Sequence, residues 1–156
     1  LIRSTKYINF ETNIYILGDG IEYSYLKKLK DKYLKKNVNL YFKKYIKKTD
    51  SFFAKSHVLI NTSFFEGSNN SIIQGINNNL FILASDVPGG NKELLNNKEF
   101  GLLYEKNNPY DLAMKLNIII KKYDQYQLKL KSKEKFLPYF TENLSNKKTL
   151  EIINKF

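Results

Sequence analysis

The chain has 156 residues, 42% of them hydrophobic and 26% charged, with a formal net charge of +11; the length suits one domain and the composition excludes disorder. It has no cysteine and one histidine, His57, so disulfides, thiolate nucleophiles, zinc–thiolate sites, histidine-built metal centres and Ser-His-Asp triads have nothing to be assembled from. The positive charge invites a nucleic-acid partner, but lysines recur along the whole chain, from Lys27-Lys28 through Lys121-Lys122 to Lys147-Lys148, on faces expected to meet solvent, and no nucleic-acid partner is expected.

Leu1 is not Met, and no basic stretch followed by an apolar run opens the chain; it reads as neither a signal peptide nor a natural start, but as the remainder of something longer. Residues 13–17 are apolar, β-branched and stopped by Gly18-Asp19-Gly20, the pattern of a buried strand ending in a tight turn. A helix follows over 21–36, with Leu26, Leu29 and Tyr33 on one face and lysines on the other. Residues 38–42 form the next strand, 51–55 a short helix, and 58–60 a third strand closed by Asn61-Thr62-Ser63. The spacing predicts a helix over 68–78, with Asn69, Asn70 and Ser71 as cap candidates and Ile72, Ile73 and Ile76 facing inward. A fourth strand covers 80–84. Gly89-Gly90-Asn91 then breaks the chain before a short helix through Leu94, and 100–104 is a fifth strand. Asn108-Pro109 supplies a cap and a first-turn proline to a helix that buries Leu112, Leu116, Ile119 and Ile120 and ends at Lys121-Lys122. Helices over 128–136 and 143–156, separated by Pro138, complete the chain. Its longest apolar runs fall far short of the ~20 residues that span a bilayer.

Strands alternating with helices imply an α/β domain, a doubly wound Rossmann-like parallel sheet covered on both faces. Open sheets of this kind bind ligands beyond the carboxyl ends of their strands, where Gly18 to Gly20, Ser63 to Asn70 and Asp86 to Asn91 all fall. Gly18-Asp19-Gly20 is an incomplete dinucleotide fingerprint, since Tyr23 stands at the third glycine position, and no P-loop follows any strand. The segment from Ser63 to Gln74 is more informative, because it sets a carboxylate, Glu66, and a glycine, Gly67, just ahead of a helix start. Backbone N–H groups at such a start attract phosphate, Gly67 permits close backbone approach, and Glu66 can accept hydrogen bonds from sugar hydroxyls. On composition alone, the plainer account of the same residues is a capped loop whose glutamate meets only water.

Taken together, Ile14 to Gly20, Asn37-Val38, Phe65-Glu66-Gly67 with Gln74, Ala84 to Gly90 with Glu93, Gly101-Leu102-Leu103 and Asn108 to Ala113 resemble, in order and spacing, the C-terminal domain of family 4 retaining glycosyltransferases. Phe140 to Asn143 is similar to the segment ahead of that family's last helix. The resemblance implies that residues 1–156 are the donor-binding C-terminal half of a two-domain GT-B enzyme, truncated at its N-terminal edge, with the first strand and the acceptor domain absent. It further implies transfer of a hexosyl-type sugar, with retention, from a nucleotide diphosphate donor, UDP-linked by expectation, to a glycan or lipid-linked acceptor. No metal or other cofactor is expected. Bacterial polysaccharide synthesis in the cytoplasm, with peripheral contact at an anionic inner membrane face, is the implied setting.

Carried across residue by residue, Glu66 matches the catalytic glutamate that contacts the donor sugar. Gln74 stands where a second glutamate holds the ribose hydroxyls, so the stronger charge-assisted bond is forfeited and weakened ribose binding is expected. Gly67, Ser68 and Asn69 match the loop facing sugar and diphosphate, Asn70 and Ser71 the helix start, and Gly18 and Gly20 a turn bordering the nucleotide. Gly89 and Gly90 match a structural glycine turn. The family's basic pair for the leaving diphosphate lies ahead of a helix that here begins near Leu1, and Phe42-Lys43-Lys44 replaces a glycine beside the base. His57 replaces an aspartate and is expected to be structural. The fragment alone is expected to bind nucleotide weakly and not to turn over. The alternatives are a non-catalytic nucleotide-binding or structural domain, signalled by Gln74, and a sugar-nucleotide epimerase, which the glycine turn fits less well.

Overall fold

The computed structural model describes residues 1–46, 49–67, 69–95 and 100–131. A 3-10 helix, Ile2–Tyr7, leads into β1 (Thr12–Leu17), α1 (Tyr23–Tyr33), β2 (Val38–Lys43), α2 (Asp50–Phe53), β3 (Val58–Asn61), α3 (Asn70–Asn77), β4 (Phe81–Asp86), α4 (Gly90–Leu95), β5 (Gly101–Glu105), α5 (Pro109–Lys121) and α6 (Tyr123–Lys131). The alternation read from the sequence is therefore present. The predicted helix over 143–156, the segment from Phe140 to Asn143, and Ser68 lie outside the described residues.

Every strand pairing is parallel, but the strands form two sheets rather than one: β1 with β2, and β3-β4-β5 in that order. Parallel sheets bury both faces and favour continuous apolar runs, and β4 fits that rule, with Phe81, Ile82, Leu83 and Ala84 all at 0% exposure. β1 instead alternates, with Ile14 buried and Tyr15 exposed. Tyr15 stacks on its register partner Tyr41 with ring centroids 5.1 Å apart. Among the described residues β1 and β3 are not hydrogen-bonded neighbours. A groove of about 1370 Å³ runs between them, lined by Tyr15, Leu17, Leu59 and Ile60 from the strands and by Leu112 and Leu116 from α5.

Helix ends follow the chemistry of the sequence. Asn108 caps α5 by accepting the N–H groups of Tyr110 and Asp111 at 3.0 Å each, with Pro109 behind it. Leu112, Leu116 and Ile119 are buried as expected, whereas Ile120 is only half-buried. In α3, Ile72 and Ile76 are buried and Ile73 half-buried. Gly75 lets this helix close on the sheet, since a Cβ there would come within 2.7 Å of Leu59 and 2.9 Å of Ile82. The helix expected from 128 begins five residues earlier, at Tyr123, because Tyr126 and Leu130 extend its apolar face onto the core.

The two sheets are joined on one side by the 3-10 segment. The Thr5 hydroxyl donates to the Tyr33 carbonyl at the end of α1 at 2.9 Å. From α5, the Asn117 side chain donates to the Tyr7 carbonyl at 3.0 Å and accepts from the Asn9 N–H at 2.9 Å. Asn117 interrupts an apolar run in the sequence because its buried amide satisfies both backbone groups.

Candidate functional site

The Glu66 loop leaves the carboxyl end of β3 and is held from below by the turn after β4. Glu66 forms an isolated parallel bridge with Gly89. Gly89 has φ +99°, and a Cβ on it would overlap the Glu66 carbonyl oxygen; one on Gly90 would overlap that of Gly67. The paired glycines thus let two backbones touch, fixing the height of the loop on the sheet. The sequence marks this turn as structural but gives no hint that Glu66 and Gly67 are what it meets.

A polar network locks the loop sideways. Asn69, 3% exposed, caps α3 by accepting the Ile72 N–H at 3.2 Å. Its own amide donates to Asn91 at 2.9 Å. Asn91, wholly buried at the start of α4, donates to the Ser85 carbonyl at 3.1 Å and to the Asn61 side-chain oxygen at 3.2 Å. Asn61 in turn donates to the Glu66 carboxylate and to the Ser63 hydroxyl, each at 3.2 Å. The Ser85 hydroxyl donates to the Ser63 carbonyl at 2.6 Å. Tyr104 donates its phenol to the Asn61 carbonyl at 3.3 Å. Burial pushes that phenol up to about 12, against a smaller downward pull from Ser85, so it remains a neutral donor.

The predicted residues fall into two groups. Glu66, Gly67, Asn69, Asn70 and Ser71 are together at the β3 end: Glu66 is half-buried, and Gly67, Asn70 and Ser71 are exposed. Ser71 donates to the Asn69 amide oxygen at 2.7 Å. The N–H groups of Asn70 and Ser71 are in the first turn of α3, where the helix offers them no carbonyl. Gln74 is exposed one turn on and lines the groove, as do Ser71, Ser63 and Lys106. Gly18 and Gly20 stand apart, at the end of β1, where the Gly18 N–H donates to the Lys43 carbonyl at 2.9 Å. His57 is exposed ahead of β3, at the other end of that strand from Glu66, and is edge-on to Tyr123 at 5.1 Å. Among the described residues no group of His, Asp or Glu could hold a metal ion.

Sequence reasoning missed Asn61, Asn91, Ser85 and Tyr104, and also Lys106, whose ammonium sits 4.8 Å from the Phe65 ring centroid and 5.5 Å from that of Phe64. The signals available were a hydrophilic Asn61 at the end of an apolar strand and the place of Asn91 in a stretch at the strand ends. Chemically, the assembly offers a fixed carboxylate, an exposed glycine backbone and a helix start within one loop. That set suits a ligand carrying both hydroxyls and phosphate.

Residues 1–136 match the family model described as glycosyl transferases group 1. Over 126 residues the chain is 29% identical to an N-acetylgalactosamine-N,N'-diacetylbacillosaminyl-diphospho-undecaprenol 4-alpha-N-acetylgalactosaminyltransferase of Campylobacter jejuni, covering 77% of this chain and 33% of that protein. HepE of Anabaena, solved with UDP-glucose, superposes at a TM-score of 0.82 with 16% identity over 100% of this chain and 44% of that one. The catalytic domain of a Helicobacter pylori cholesterol-alpha-glucosyltransferase gives 0.76 with 14% identity, over 90% and 87% of the two chains. The fold is thus that of GT-B glycosyltransferases. The chain spans about a third of the length of the curated relative it matches.

Proposed function

Because the chain belongs to the group 1 glycosyl transferases, we propose that it is the donor-binding half of a retaining enzyme that moves a hexosyl-type sugar from a nucleoside diphosphate to an acceptor hydroxyl. The observation that carries the reading is the Glu66-Gly67 loop, pinned against Gly89 and Gly90 and placed in sequence just ahead of the Asn69 cap of α3. In this reading Glu66 takes donor sugar hydroxyls, and the backbone of the loop that Gly67, Ser68 and Asn69 match faces the sugar and diphosphate, the Asn69 side chain being committed to the α3 cap and to Asn91. Asn70 and Ser71 offer N–H groups to the charge that develops on the leaving diphosphate, a preorganised electrostatic contribution. Gln74 meets the ribose, and Gly18 and Gly20 border the nucleotide. No metal takes part.

UDP is the proposed carrier and a lipid-linked glycan the proposed acceptor, on the strength of HepE's UDP-glucose and the Campylobacter enzyme's undecaprenol-linked substrate. The groove between β1 and β3 supports the view that the domain is completed by one further parallel strand, which would join the two sheets into one. Exposed Lys27, Lys28 and Lys32 on α1, each worth about 1 kcal/mol beside anionic lipid, support peripheral contact with a cytoplasmic membrane face. No described helix is long and apolar enough to cross a membrane.

The test is a titration with UDP, GDP and ADP followed by amide NMR. Saturable shifts at Gly67, Asn70, Ser71 and Gln74 with UDP are expected; no shift at millimolar nucleotide would overturn the reading. The amide at Gln74, in place of a carboxylate, favours a second reading as a non-catalytic domain. Gln74→Glu separates the two, because tighter nucleotide binding is expected of a weakened enzyme and no change of a domain that has lost the site.

A further inference from the structure

The asparagines that join the Glu66 loop to α4 do more than fill hydrogen bonds, because backbone groups fix the direction of every amide in the chain. Ser85 offers a carbonyl, which can only accept, so the Asn91 nitrogen must face it. The Ser63 N–H can only donate, and at 3.3 Å it faces the Asn61 side-chain oxygen. The Ile72 N–H fixes Asn69 in the same way. With its oxygen taken by Ser63 N–H and Asn91, Asn61 can turn only its NH₂ toward Glu66. No buried side-chain N or O among the described residues is left without a partner, so none of the amides can flip without stranding a buried group.

The geometry points to Asn61 and Asn91 as positioning residues for Glu66: Asn91 locks the Asn61 amide, and Asn61 holds the carboxylate in one orientation. The inference rests on the reading of Glu66 as the group that meets the donor sugar. It assigns the sugar's orientation partly to a residue 22 positions from the α3 cap and 30 from Asn61 in the chain. At 3.2 Å from the carboxylate, the Asn61 donor has no freedom to follow it if it moves.

The experiment compares the full-length protein with Asn61→Asp, Asn61→Ala and Asn91→Ser, using UDP and UDP-glucose as probes. Asn61→Asp keeps the acceptor for Asn91 and Ser63 but sets an oxygen against Glu66. Roughly a tenfold loss of UDP-glucose affinity is expected, with UDP affinity unchanged, since only the sugar meets Glu66. The loss should be absent when Glu66→Gln is already present, as coupled sites are non-additive. Equal losses for UDP and UDP-glucose, or additivity with Glu66→Gln, would overturn the relay and leave Asn61 merely structural. A ligand-free readout stands beside it. The Asn61 side-chain NH₂ resonances should move on Glu66→Gln, and Asn91→Ser should abolish that response; an unchanged response would overturn the relay. If the parent binds neither UDP nor UDP-glucose, the donor reading fails, and these resonances alone decide whether the relay exists.

Discussion

The half of the molecule built on β3, β4 and β5 differs sharply from the half built on β1 and β2. In the first, four successive residues of β4 are wholly buried and the loops at the strand ends are cross-linked by asparagine amides. In the second, Ile14, Val38 and Leu40 are buried, α1 buries no residue completely, and the tyrosines of the strands are exposed. The difference follows from which faces are covered. β4 lies between two strands and beneath α3, α5 and α6, while β1 borders an open groove. The candidate carboxylate thus stands on the rigid half, and the Gly18–Gly20 turn on the half with less packing to hold it.

The largest expected effect tests that contrast in the core. Leu83→Ala, at a fully buried position of β4, should cost about 2–5 kcal/mol. Leu29→Ala, half-buried on α1, should cost about 1 kcal/mol or less. Urea unfolding of both variants checks this, read as a change in midpoint at constant slope. Equal costs would mean that Leu29 is packed as tightly as Leu83 and that the exposure of α1 carries no energetic meaning.

The turns give a second, smaller contrast. Gly18 and Gly89 both have positive φ, +124° and +99°. Nothing lies within 4 Å of a Cβ on Gly18, whereas the Glu66 carbonyl blocks one on Gly89. Gly18→Ala therefore carries backbone strain alone, about 1 kcal/mol. Gly89→Ala adds an overlap that only a shift of the Glu66 loop can relieve, for about 2–4 kcal/mol in all. Thermal melts measure the two costs, and the Glu66 and Gly67 amide resonances should move in Gly89→Ala but not in Gly18→Ala.

The sequence carries most of the fold and about half of the site, for reasons visible in particular residues. β4 is legible because Phe81 to Ala84 is an unbroken apolar run, and α5 because Asn108-Pro109 announces its start. The helix that the resemblance implies near Leu1 is a short 3-10 segment, Ile2–Tyr7, and its own residues carry no comparable signal. Its Ser4 and Thr5 look like surface residues and are fully buried, their hydroxyls donating to backbone carbonyls. Within the site, Glu66, Gly67 and the Asn69 cap are local and readable from spacing. Asn61 and Asn91 are not, because in an asparagine-rich chain nothing marks two residues 30 positions apart as partners. The division of the sheet was also hidden, since periodicity reports which residues are strands but not which strands are neighbours.

The smallest expected effect concerns Tyr104, which ties β5 to the end of β3 on the rigid half. Its phenol ionises near 10 in the unfolded chain and near 12 in the fold, because burial disfavours the phenolate. With the folded value the higher one, the contribution is fully present below pH 10 and is lost as pH climbs toward 12. Tyr104→Phe removes the bond to the Asn61 carbonyl at a cost of about 1 kcal/mol, but it has no proton to lose. The parent's advantage in melting temperature should therefore be steady at pH 8–9, shrink from pH 10 and reverse as pH approaches 12, because only the parent has a buried proton to lose. Comparing the pair cancels the titration of the lysines and the other tyrosines. A gap that stays constant across the window would mean that the phenol reaches water, and that β5 and the Asn61 end of β3 are joined less tightly than the buried network requires.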